Sequence, residues 1–176
     1  MKPISGSNNI PVRRKELPKT DCVMDASEPF NPLPCHRYLS ADCFNKTWTL
    51  LEKPGRTAAD DEQMLLLAMA SLWHWTQRPD CKTRELSVGY WMISRVYAAL
   101  GQVDNAASYA GKCLMLSKDE EPFYLAYAHE GSARAARLAG NGEAVTRHLA
   151  EARRLAPLVT EGDDRAQLEA DLRTIA

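Results

Sequence analysis

No long apolar run, no excess of either charge and no paired-cysteine motif occurs in this 176-residue chain. The longest apolar stretch, Met64 to Trp73, holds ten residues, whereas a helix that spans a bilayer needs about 20. With 22 basic against 23 acidic side chains the net charge is −1. That balance argues against a broad electrostatic hold on nucleic acid, which requires clustered basic residues. The chain does not open on a charged-then-apolar leader, so the expectation is a cytoplasmic protein with neither a membrane nor a nucleic-acid partner. Its five cysteines, at 22, 35, 43, 81 and 113, are odd in number and widely spaced. A disulfide framework is not expected, and reduced thiols are.

What the chain does have is an uneven distribution of proline. Pro3, Pro11, Pro18, Pro29, Pro32 and Pro34 fall within residues 1–39, where they oppose helix formation and push their predecessors into extended conformations. This segment reads as an irregular, mildly basic arm, and residues 1 to about 28 of it are expected to be dispensable for folding because they offer little to bury. Residues 40–176 read as a helical domain. Ser40 suits the cap of a first helix that Pro54-Gly55 stops. Thr57 with Asp60 three residues on resembles a capping box for a second, ending before Pro79. Further helices are expected from Thr83 to about Leu100, from Val103 to Ser117, from Pro122 to Gly140 and from Glu143 to Ala156. A last short one carries Leu168, Leu172 and Ile175 on one face. The fold class is therefore all-α, with six to seven helices.

Two helix pairs repeat one another. Tyr90, Ile93, Ser94, Tyr97, Gly101, Ala106, Ala110 and Cys113 alternate large and small side chains at tetratricopeptide-like spacing. His129, Ser132, Ala133, Ala136, Gly140, Val145, Leu149 and Ala152 follow the same spacing. Small residues let paired helices approach closely, and each glycine supplies a left-handed turn between them. The two glycines lie 39 residues apart, against about 34 for the standard repeat, so the fifth helix is expected to carry an extra turn or a longer lead-in.

Residues 71–175 also resemble a bacterial family of uncharacterised tetratricopeptide-repeat-like helical proteins. The phrases that carry the resemblance are His74-Trp75, Trp91 with Ser94-Arg95-Val96-Tyr97, Glu130 with Ala133-Arg134-Ala135, and Asp171 to Ile175. The resemblance implies an antiparallel array of helix pairs and brings no established activity. By analogy it implies a peptide or protein partner on a concave face. On the repeat, the positions lining that face are Val88, Trp91 and Arg95 in the first pair, and Tyr127, Glu130 and Arg134 in the second. Arginine can fork onto a carboxylate and tryptophan can cover an apolar side chain. Alternatively, Arg95 and Glu130 form an ion pair bridging two helices, with Trp91 as ordinary core. In Trp73-His74-Trp75 the three side chains point about 100° apart, so they cannot share a helix face. One tryptophan is expected in the core, and His74 at an edge as a structural or groove-lining donor.

Catalytic and metal motifs are not found. His129-Glu130 begins like a zinc-protease helix, but Ala133 stands where the second histidine belongs. Cys35, His36 and Cys43 lack a tetrahedral ligand spacing, and Ser132 has no nucleophile elbow around it. No cofactor or metal is implied. Three functions remain: a helical-repeat binding module, a small-molecule sensor or enzyme using His74, Arg95 and Glu130 in a closed pocket, or a homo-oligomer with a tryptophan-rich interface. An open groove with exposed Trp91 favours the first, a sealed polar cavity the second, and an apolar patch closed by another copy the third.

Overall fold

The computed structural model describes residues 31–175, and every regular element among them is a helix. In chain order the elements are α1 (Leu33–Leu51), α2 (Ala58–Thr76), α3 (Thr83–Ala99), α4 (Val103–Ser117), α5 (Pro122–Leu138), α6 (Gly142–Leu155), a 3-10 turn (Ala156–Leu158) and α7 (Gly162–Arg173). Most of the proline-rich arm lies outside the described residues. Its last part is not irregular: α1 starts at Leu33, seven residues before Ser40, and takes Pro34 into its first turn. The first helical N–H groups have no intrahelical acceptor, so a proline there costs nothing. Ser40 is buried inside α1, with its hydroxyl turned back to the Arg37 carbonyl.

The other helix starts follow local chemistry. Thr57 accepts from the Asp60 N–H, and Asp60 accepts from the Thr57 N–H in return, closing the capping box of α2. Glu85 does the second half of this for α3, accepting from the Lys82 N–H. Asn141 accepts from the Ala144 N–H at the start of α6.

The turns that close α3–α4 and α5–α6 are the same motif. Gly101 and Gly140 sit at φ +71° and +70°, a conformation that a Cβ opposes. Gln102 donates to the Tyr97 carbonyl and Gly101 to that of Ala98, while Asn141 donates to Ala136 and Gly140 to Arg137. These paired bonds satisfy the last carbonyls of each helix. The fifth helix carries no extra turn, since α3 and α5 both have 17 residues. Residues 118–121 lead into the second pair.

Each helix packs mainly on its chain neighbours, most extensively within α1–α2, α3–α4 and α5–α6. Beyond these, α3 meets α5 directly and α7 lies against α5. One core runs through the array, with Phe44, Met64, Trp91, Ile93, Leu168 and Ile175 all almost fully buried. Small residues set the close approaches. Ala106 and Ala133 are completely buried, and Ser94 on α3 donates to the Ala106 carbonyl of α4. A Cβ on Gly131 would stand 3.1 Å from the Trp91 ring, so this glycine lets α5 lie flat against it. No described helix is long and apolar enough to cross a membrane.

Candidate functional site

Trp91 on α3 and Glu130 on α5 stand equally far into their helices, as do Arg95 and Arg134, and the fold brings all four together. Glu130 is fully buried, yet both its oxygens are occupied. Oε2 accepts from the Trp91 indole N–H at 2.8 Å. Oε1 accepts from Arg95 at 3.1 Å and from two nitrogens of Arg134 at 2.9 and 2.6 Å. A buried carboxylate is tolerable only when it is paired and hydrogen-bonded in this way. The network continues into α7. Arg95 reaches Asp171 at 3.5 Å. Asp171 accepts from the Tyr127 hydroxyl at 3.0 Å and from Gln167. Arg134 also donates to Thr174. Burial, reinforced by the adjacent Asp171 and Glu130 charges, pushes the Tyr127 phenol far above its ordinary value. It remains a neutral donor.

Of the residues expected on a concave face, Trp91 (1% exposed), Tyr127, Glu130 and Val88 are instead inside the molecule. The physical reason is that a carboxylate on α5 needs donors from α3, and meeting them draws the indole and its neighbours into the core. The bridging ion pair between Arg95 and Glu130 is present. His74 is not part of this cluster. It lies on α2 against His36 of α1, with Trp73 exposed beside it and Trp75 in the core. No group of three or more metal-ligating side chains occurs among the described residues.

Arg95 and Arg134 remain partly exposed on their outer edges and line an open cleft of about 540 Å³. Its walls include Trp48 and Leu51 of α1, Ala98 of α3, Arg137 and Leu138 of α5, and Thr174. Glu52 is the one acidic residue on this lining. The Arg95 guanidinium lies 5.6 Å from the Trp48 ring and 5.5 Å from that of Trp91, within cation–π range of both. Arg137 donates to the Ile175 carbonyl at 2.6 Å. The buried indole N–H of Trp48 has no acceptor among the described residues. Trp48, Leu51, Arg137 and Thr174 were not expected here. Trp48 and Leu51 lie outside the resembling segment, whereas the three-residue step from Arg134 to Arg137 already places two arginines on one helix face.

No known protein family, characterised protein or solved structure matches this chain.

Proposed function

We propose that the chain is a tetratricopeptide-like array of antiparallel helix pairs that binds a peptide or protein partner in the cleft beside Arg95, Arg134 and Arg137. Two features support the array. The α3–α4 and α5–α6 pairs share the same glycine turn, and α3 meets α5 while α2, α4 and α6 do not meet one another among the described residues. That is the neighbour pattern of stacked helix pairs.

The observation that carries the binding reading is the cleft itself. It is open, about 540 Å³ in size, and mixes apolar walls at Trp48, Leu51 and Leu138 with three arginines. Arg95 and Arg134 are largely neutralised by Glu130 and Asp171 behind them, so Arg137 is the charge best placed to reach a ligand. A partner with an acidic group beside an apolar side chain matches this lining.

Fluorescence anisotropy with a panel of short acidic-apolar peptides tests the reading on the full chain. Arg137→Gln keeps a donor for the Ile175 carbonyl and removes the charge. It should weaken the tightest peptide about tenfold, the size of one shielded charge-assisted contact, with an unchanged melting temperature. Absence of binding across the panel, or equal binding by the variant, counts against this use of the cleft.

A further inference from the structure

All four histidines of the chain are used in two pairs of the same kind. His36 of α1 faces His74 of α2 with the Nδ1 atoms 2.8 Å apart. His129 of α5 faces His148 of α6 with the Nδ1 atoms 3.0 Å apart. Each pair joins the two helices of one hairpin, and α3–α4 has none.

The ring geometry decides what the pairs can hold. Ring centroids are 5.0 Å apart in the first pair and 5.3 Å in the second. In both, the excess over the nitrogen separation is about two ring radii. The rings therefore meet tip to tip, and the lone pair of one nitrogen aims straight at the other. A metal ion about 2 Å from each nitrogen would have to lie well off the line joining them, away from the direction of both lone pairs. One proton fits: a donor Nδ1–H on one ring and an acceptor Nδ1 on the other. With both rings protonated to imidazolium, two N–H groups and two positive charges would meet head-on.

We propose that the two histidine pairs are acid-sensitive clasps, each closing its hairpin through one shared proton and forced apart when both rings become charged, so that α1–α2 and α5–α6 loosen in mild acid while α3–α4 stays closed. The surroundings agree with this. Burial, then the charge on His36, lowers the proton affinity of His74. Arg37, next to His36 in sequence, acts on Asp80, and no charge from α3 acts on His74 among the described residues. At the second pair, burial and then His148 hold His129 down. Glu151 of α6 opposes that effect and Arg154 adds to it. Burial and then Arg147 hold His148 down, and no group of α4 acts on either ring among the described residues.

The sign follows from these depressions. A histidine that binds its proton less well in the closed state than in the open one favours closure above its ordinary value of 6.5. It loses that preference as the pH falls through 6.5 toward the depressed value. Each pK unit of depression is worth about tenfold in the open-to-closed ratio.

Amide hydrogen exchange on the full chain, at about pH 7.5 and about pH 5.5 and corrected for the intrinsic pH dependence of exchange, reads this directly. The expected result is acceleration of about tenfold in α1, α2, α5 and α6, with α3 and α4 unchanged. Glutamine can donate and accept but does not titrate. His74→Gln should therefore abolish the response in α1–α2 alone, and His148→Gln in α5–α6 alone. Equal acceleration in all three hairpins, acceleration in none, or wild-type responses in the glutamine variants would overturn the proposal. Should a variant fail to fold, nitrogen NMR of the wild-type histidine rings decides. On opening, the hydrogen bond between the Nδ1 atoms should be lost as both rings become imidazolium, and an Nδ1–H on both rings of a still-closed pair would refute it.

Discussion

At the residue scale the centre of the molecule is one carboxylate. Glu130 has no exposed surface and accepts from Trp91, Arg95 and Arg134. Each donor holds the others in place because each would be poorly satisfied alone. Arg95→Ala removes the only donor to Glu130 that also reaches Asp171, leaving two acidic groups less compensated. Breaking a buried pair from one side costs on the order of 3–5 kcal/mol. For a chain of this length that lowers the melting temperature by roughly 6–20 °C, which a calorimetric or circular-dichroism melt will show. Glu130→Gln keeps the shape but strands two guanidinium groups, and should fall in the same direction. The double variant should lose less than the sum of the two, because both act on one pair. Sequence alone could place Arg95 and Glu130 on facing helices. It could not say which side of the ring system would face water, because that depends on α7 supplying Asp171 and Thr174 some 40 residues away.

At the element scale, glycine acts in opposite ways at two nearby positions. Gly101 holds a positive φ with nothing within 4 Å of an added Cβ, whereas Gly111 lies in an exposed stretch of α4, also with open space around it. Gly101→Ala is therefore opposed by backbone strain alone, about 1–2 kcal/mol. Gly111→Ala should stabilise by roughly 0.5–1 kcal/mol, since alanine loses less freedom in a helix interior. Paired denaturant titrations of the two variants should move their midpoints in opposite directions. Turns of this kind were legible in the sequence because glycine, the capping Thr57–Asp60 pair and the prolines at 54 and 79 act locally. The start of α1 was not. Pro32 and Pro34 look like breakers in isolation, yet the helix runs back through Leu33 because Pro34 falls within its first turn. His36 belongs to that same first stretch, so its pairing with His74 was hidden along with the turn that carries it.

At the scale of the whole molecule, an array of stacked helices has two ends, and each end must be covered. The α5–α6 end is closed by the 3-10 turn and α7. Leu168, Leu172 and Ile175 are buried there, and Tyr127, Arg95, Arg134 and Arg137 all reach residues of α7 or the turn after it. The helix thus does two jobs, sealing the apolar end of the core and completing the charge balance behind the cleft. The apolar half of this was visible as three large residues at i, i+4 and i+7. The polar half was not, because Tyr127 and Arg95, which tie Asp171 to the rest of the molecule, lie on other helices. A chain ending at residue 160 should expose the covered face of α5 and leave Tyr127 without its acceptor. Burying three large apolar side chains is worth about 1.5–3 kcal/mol each, and ordering the dozen residues of α7 offsets much of that. A net loss of a few kcal/mol corresponds to a fall of about 10 °C in melting temperature, together with binding of a hydrophobic dye. If α7 were merely an appendage, the shortened chain would melt with the full one and bind no dye. Restoring residues 161–176 with Asp171→Asn separates the two jobs, since the apolar seal returns while the charge partner of Arg95 does not. Recovery of dye exclusion with only partial recovery of the melting temperature is the outcome that a dual role for α7 requires.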